Sequence, residues 1–140
     1  MLNARYLVDK SAFARKSHPD VARVIDPLIA TGSLARCGIF ELEVLYSARN
    51  AEELNNDRRD LRLALALADT RQDDFERAAD YLGLLAKRGL HRSVPIPDLV
   101  LAAVAERSGL TVLHYDRDFE ALRTVVGLDA EWVMPQGSVP

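Results

Sequence analysis

Cysteine is nearly absent from this chain: of 140 residues only Cys37 is one. A single thiol closes no internal disulfide and builds no zinc site, and it fits a reducing compartment. Long apolar runs are missing too. The longest, residues 99–105, falls far short of the roughly 20 residues a membrane helix requires. The first residues carry Arg5, Asp9 and Lys10 and no extended apolar segment, so no secretory leader is expected. Those two gaps lead us to expect a cytoplasmic protein with no membrane association. Positive charge is not in excess either. Lys and Arg number 18 against 21 Asp and Glu, a net charge of −3. That balance excludes a domain that grips nucleic acid by bulk charge alone, while leaving room for local basic patches. No internal repeat, low-complexity tract or linker divides the sequence. It reads as one domain over residues 1–140, large enough to bury a core, with the core at about 5–134 and a short C-terminal tail.

What is present is a strand–helix alternation. Tyr6-Leu7-Val8 makes a short strand ending at Asp9, and a helix starts directly after it. His18-Pro19-Asp20 resets the chain, and Val21, Val24, Ile25, Leu28 and Ile29 form a helical stripe. Residues 34–38 read as a second strand, 39–49 as a helix, and 51–68 as a further helix whose first half is polar. Asp73-Asp74 gives the next helix a negative first turn, favourable with the helix dipole. After Ile96-Pro97, Asp98 is expected to cap a helix that is apolar all round, hence buried, and that stops at Ser108-Gly109. Thr111-Val112-Leu113 is the short β-branched and apolar run of an inner parallel strand. Tyr115-Asp116-Arg117-Asp118-Phe119 follows it and opens a helix to about Val125, and residues 131–134 form a last strand. This order predicts an α/β fold with a mostly parallel sheet.

On that frame the acids converge. Sheets of this kind hold ligands at the carboxyl ends of their strands. Asp9 ends the first strand, Asp116 and Asp118 follow a later one, Asp98 starts a helix beside the sheet, and Glu43 sits one turn into the helix after the second strand. Carboxylates gathered at one edge raise each other's pKa. A hard divalent cation removes that penalty, and an all-oxygen site with retained waters suits Mg²⁺ or Mn²⁺. The matching chemistry is metal-assisted attack of water on a phosphodiester.

Each residue also has a plainer role. Asp98 and Asp116 are plausible N-caps, a function compatible with a free oxygen aimed elsewhere. Asp9 fits an ordinary turn acid, and Glu41 and Glu43 fit solvated helix charges. Glu43 is the less ordinary of the pair because Leu42, Val44 and Leu45 around it look buried. Lys10 and Ser11 read first as turn residues, and His114 as the filling of a strand end. Joint placement lifts the set above its members.

Four segments, taken together, resemble the PIN domain, and specifically the VapC toxins of bacterial toxin–antitoxin pairs. They are Tyr6-Leu7-Val8-Asp9-Lys10-Ser11, Glu41-Leu42-Glu43-Val44-Leu45-Tyr46-Ser47, Ile96-Pro97-Asp98-Leu99-Val100-Leu101-Ala102 and His114-Tyr115-Asp116-Arg117-Asp118-Phe119. The resemblance runs from about Tyr6 to Met134. It implies a three-layer α/β/α fold with a short central sheet. It also implies a catalytic set of Asp9, Glu43, Asp98 and Asp116, with Asp9, Asp98, Asp116 and Asp118 as metal ligands and Ser11 as a supporting hydroxyl. A Mg²⁺- or Mn²⁺-dependent endoribonuclease acting on tRNA or rRNA would follow, inhibiting translation, with a VapB-type antitoxin covering its acidic site and a homodimer as the common assembly. His114 departs from the Thr or Ser often found before the fourth acid.

Basic residues just before Asp98, namely Arg88, His91 and Arg92, are candidates for phosphate contacts, with a dipole-favoured helix end as the alternative. Two other readings stand beside the nuclease. A Mg²⁺-dependent phosphotransfer domain of the receiver or phosphatase type also places a strand-end Asp near a cation. However, Asp9-Lys10-Ser11 lacks the second acid of the phosphatases, and no Lys ends a late strand. A PIN fold that has lost catalysis and only binds is the third, and the presence of every candidate acid argues against it.

Overall fold

The computed structural model describes residues 2–140. Its elements are β1 (Tyr6–Val8), α1 (Lys10–Phe13), α2 (Pro19–Ala30), β2 (Leu34–Arg36), α3 (Gly38–Tyr46), α4 (Ala51–Ala64), β3 (Ala66–Leu67), α5 (Gln72–Ala86), α6 (Ile96–Ser108), β4 (Thr111–His114), α7 (Asp118–Val126) and β5 (Ala130–Trp132). All four strand pairings are parallel, and the strand order is β3-β2-β1-β4-β5. The expected mostly parallel sheet is thus wholly parallel among the described residues. This is the α/β/α arrangement anticipated from the sequence.

Strand order decides where a site can form. From β1 the chain moves outward through β2 to β3, then returns and continues from β4 to β5 on the other side. The crevice at the carboxyl ends of β1 and β4 is therefore the topological switch point, where open parallel sheets bind ligands. Register keeps the two strands level: Tyr6, Leu7 and Val8 pair with Thr111, Val112 and Leu113. Asp9 and His114 consequently leave the sheet side by side.

Helix α6 is the inner support. Leu99 through Ala105 are buried without interruption, because the helix is enclosed by α5, α3, β1 and β4. Its C-terminus turns off at Gly109, whose φ of +68° is left-handed and favours a residue without a Cβ. Between α5 and α6 the buried Asp74 accepts from Arg107 Nε at 2.8 Å and Nη2 at 3.1 Å, and from the Arg71 amide at 2.8 Å. Arg77 pairs with Glu106 at 2.9 Å. These bonds satisfy a carboxylate that would otherwise cost several kcal/mol to bury.

Several boundaries differ from expectation. Residues 51–68 do not form one helix: α4 ends at Ala64 and the chain adds the edge strand β3. Two residues, both exposed, leave no alternation to read. Asp98 does not cap α6; Pro95 holds that position and Asp98 lies within the first turn. Likewise α7 begins at Asp118 rather than at Asp116. The second strand stops at Arg36 and the last runs Ala130–Trp132. Nor is the C-terminal segment a free tail. Val139 is buried, and its amide and carbonyl both bond the Tyr115 hydroxyl, at 3.0 and 2.9 Å.

Candidate active site

The turn after β1 is built by Asp9 and Ser11. Asp9 is only 4% exposed and caps α1, its Oδ2 accepting from the Ser11 amide at 3.0 Å and from the Ser11 hydroxyl at 2.5 Å. The same hydroxyl oxygen accepts the Tyr115 amide at 2.8 Å. Ser11 thereby ties the turn after β1 to the turn after β4, a larger part than the sequence suggested for it. Across the crevice, Asp116 Oδ1 accepts the Asp118 amide at 2.9 Å, which folds the turn so that both carboxylates face the same space.

His114 fixes the start of that turn. It is fully buried and its Nδ1 accepts the Asp116 amide at 3.1 Å. The ring lies 4.8 Å from Phe119 and 4.9 Å from Trp132, centroid to centroid. Burial holds its pKa down to about 4, so the ring is neutral near pH 7. With Nδ1 accepting, the proton sits on Nε2, which has no hydrogen-bond partner among the described residues. His114 thus fills the strand end, as its plainer reading had it.

Two carboxylate groups result. Ligand atoms of Asp9, Glu43 and Asp98 lie within 4.8 Å of one another, and so do those of Asp98, Asp116 and Asp118. Asp98, 6% exposed, belongs to both and is the centre of the site. All five acids singled out from the sequence come together. Burial, then the charges of Asp9, Asp116, Glu43 and Asp118 in that order, push its carboxyl up to about 8. Burial also raises Asp9, with the Ser11 hydrogen bonds opposing and Asp116 reinforcing. Glu43 is raised by burial and then by Asp9, with Lys10 opposing. Asp118 is raised by burial and then by Asp116.

Two oxygens at the centre, Glu43 Oε1 and Asp98 Oδ2, are buried with no hydrogen-bond partner among the described residues. Unpartnered acceptors among like charges are expensive in a protein interior. A hard divalent cation relieves both problems at once, and a donor set made only of carboxylate oxygens is the one Mg²⁺ and Mn²⁺ take. The residues fit such an ion.

Comparison with known proteins gives the family. Residues 6–125 match the PIN domain. The chain belongs to the PIN domain family. Within it, the chain is 44% identical over 140 residues to ribonuclease VapC21 of Mycobacterium tuberculosis, covering 98% of this chain and 99% of that one. To ribonuclease VapC51 of the same species it is 41% identical over 138 residues, covering 96% and 97%. A crystal structure of DNA-bound VapBC from Salmonella typhimurium superposes with a TM-score of 0.76 at 16% identity, over 94% of this chain and 99% of that one, which supports the fold. PIN membership removes the receiver and phosphatase readings.

The basic candidates lie apart from the acids in character. Arg88 and Arg92 are exposed in the α5–α6 connection, ahead of Asp98. Lys10, passed over as a turn residue, stands at the rim of the acid cluster and donates from Nζ to Ser47 Oγ at 2.7 Å. Its position next to Asp9 was the only signal for it. Glu41 turns away and pairs with Arg36, which leaves Glu43 as the glutamate of the site. Leu42, expected to be buried, is 65% exposed.

Proposed function

We propose that this chain is the toxin of a toxin–antitoxin pair, an endoribonuclease dependent on Mg²⁺ or Mn²⁺ that cuts tRNA or rRNA and so inhibits translation in the cytoplasm. The observation that carries the reading is the Asp98-centred cluster, with two buried carboxylate oxygens that no donor among the described residues satisfies. The naming of the relatives as ribonucleases supports RNA as substrate. Asp9, Glu43, Asp98 and Asp116 form the catalytic set, with Asp9, Asp98, Asp116 and Asp118 holding the cation. When bound, the cation supplies Lewis acidity, which makes water a nucleophile near neutral pH and offsets charge on the phosphodiester.

The chain's own residues do the positioning. Ser11 locks the Asp9 oxygen and the Tyr115 amide into one frame. The Asp116 side chain and the His114 ring hold the second turn. Arg88 and Arg92 contact phosphates along the RNA backbone, which sets orientation rather than sequence. A VapB-type antitoxin covers the acidic face, a reading supported by structural neighbours that are VapBC complexes, and the working assembly is a homodimer.

The test is induced expression in bacterial cells of the wild type beside Asp9→Asn/Asp98→Asn, with total RNA mapped for new ends. Growth arrest and discrete cuts in the wild type alone are expected. Arrest by both proteins with the same RNA pattern would overturn the assignment of these acids.

A further inference from the structure

Helix α3 carries a second feature that the acid cluster leaves unused. Leu42 and Tyr46, one turn apart, are 65% and 91% exposed, and Glu43 sits between them on the edge that faces the carboxylates. These three residues and Lys10 line a single shallow concavity of about 230 Å³. It is smaller than the pockets that enclose drug-sized ligands and matches one planar ring laid against a wall. Lys10 borders the cluster, its charge acting against the rise of the Glu43 carboxyl; it is held by Ser47, and it lines the same space. An aromatic face bare to solvent, a held ammonium and the rim of an acidic site meet at this one concavity.

We propose that this concavity is a subsite for one unpaired RNA nucleotide next to the cut phosphate. Its base stacks on Tyr46 against Leu42, and its phosphate is gripped by Lys10. The proposal rests on the nuclease reading and says where that substrate lies. Glu43 belongs both to the concavity and to the acid cluster, so a strand whose phosphate reaches the cluster has its neighbouring nucleotide over Tyr46. Unstacked bases in loops and single strands are held by aromatic faces in this manner, with little dependence on base identity. Lys10 also complements charge: it attracts a phosphate where the five acids repel it.

The experiment is anisotropy of a short fluorescein-labelled single-stranded RNA of random sequence, with Ca²⁺ in place of Mg²⁺ to restrain cleavage. Wild type, Tyr46→Ala, Tyr46→Trp and Lys10→Met are compared, each also against an RNA carrying abasic sites. Because Tyr46 is almost wholly exposed, its replacement leaves the fold and the melting temperature unchanged, which circular dichroism checks. Tyr46→Ala is expected to weaken binding by about tenfold, Tyr46→Trp to keep it, and the abasic RNA to erase the difference. Lys10→Met is expected to lower the slope of log affinity against log salt by about one phosphate contact. Equal binding by Tyr46→Ala and wild type would overturn the subsite while the nuclease reading stood, leaving the bare face to a protein partner. If the wild type bound none of this RNA, the subsite would fall, and the nuclease reading would be judged separately by the mapped cuts in total RNA.

Discussion

The cluster makes a testable demand on the metal-free protein: it should be held back by its own carboxylates, and Asp98→Asn should make it more stable. Asp98 is 6% exposed and its carboxyl is pushed up to about 8 from 3.8. Between those two values the folded state keeps a proton that the unfolded chain has released. Stability therefore falls as pH rises through that window, by about 1.4 kcal/mol per pH unit at most. From about pH 4 to pH 7 the ceiling is about 4 kcal/mol. Residual structure in the unfolded chain and water entering the cleft narrow the difference, so we expect about 2 kcal/mol. Asparagine matches the carboxyl in volume and carries no charge. For a chain of this size that gain corresponds to a melting temperature higher by roughly 8 °C. The assay is thermal unfolding in EDTA from pH 4.5 to 8, followed by circular dichroism. The variant should have the higher and flatter profile, the two curves converging at the acid end. An Asp98→Asn protein that is less stable than wild type at pH 7.5 would refute the argument that crowded, unpartnered carboxylates dominate this site.

Three further outcomes follow from the same geometry. Millimolar Mn²⁺ should raise the melting temperature of the wild type at pH 7, since a ligand that binds only the folded state stabilises it by mass action. Asp9→Asn/Asp98→Asn should not respond, and an equal response would show that the ion binds elsewhere. Arg107→Ala should cost about 3 kcal/mol in urea unfolding, because Asp74 stays buried and loses both guanidinium bonds; a loss under 1 kcal/mol would show that the chain relaxes to hydrate it. Removal of residues 136–140 should cost about 1–2 kcal/mol, from the buried Val139 side chain and its paired bonds to Tyr115. An unchanged melting temperature would mean that this segment is docked without contributing to stability.

The acids were legible because they punctuate the sequence where an α/β chain must turn. Val8-Asp9 and His114-Tyr115-Asp116 each end a short apolar strand, and strand order then brings those ends together. Asp98 was legible through the helix start at Ile96-Pro97, though its exact place in the first turn was not. A proline at the cap is set by tertiary contacts as much as by local preference. Strand β3 escaped notice because Ala66 and Leu67 continue the apolar run Leu63-Ala64-Leu65 at the end of α4. Leu42 was misjudged for a related reason: α3 carries apolar residues all round, so periodicity could not say which face looks outward. Its real position, beside the bare Tyr46, depends on how α3 leans against α4 and α6. Ser11 looked like a turn residue and is one. Only the pairing of β1 with β4 shows that its hydroxyl also holds the other half of the site.

The measurement that bears most directly on the central claim is cleavage of purified total RNA by the purified protein, with Mn²⁺ or with EDTA, beside Asp9→Asn/Asp98→Asn. Mapping both product ends reads the chemistry as well as the cut. The account predicts discrete cuts by the wild type with Mn²⁺ alone, and ends that carry no 2′,3′-cyclic phosphate, since water and not the neighbouring hydroxyl attacks. Cleavage that persists in EDTA, persists in the double variant, or leaves cyclic phosphate ends would contradict it.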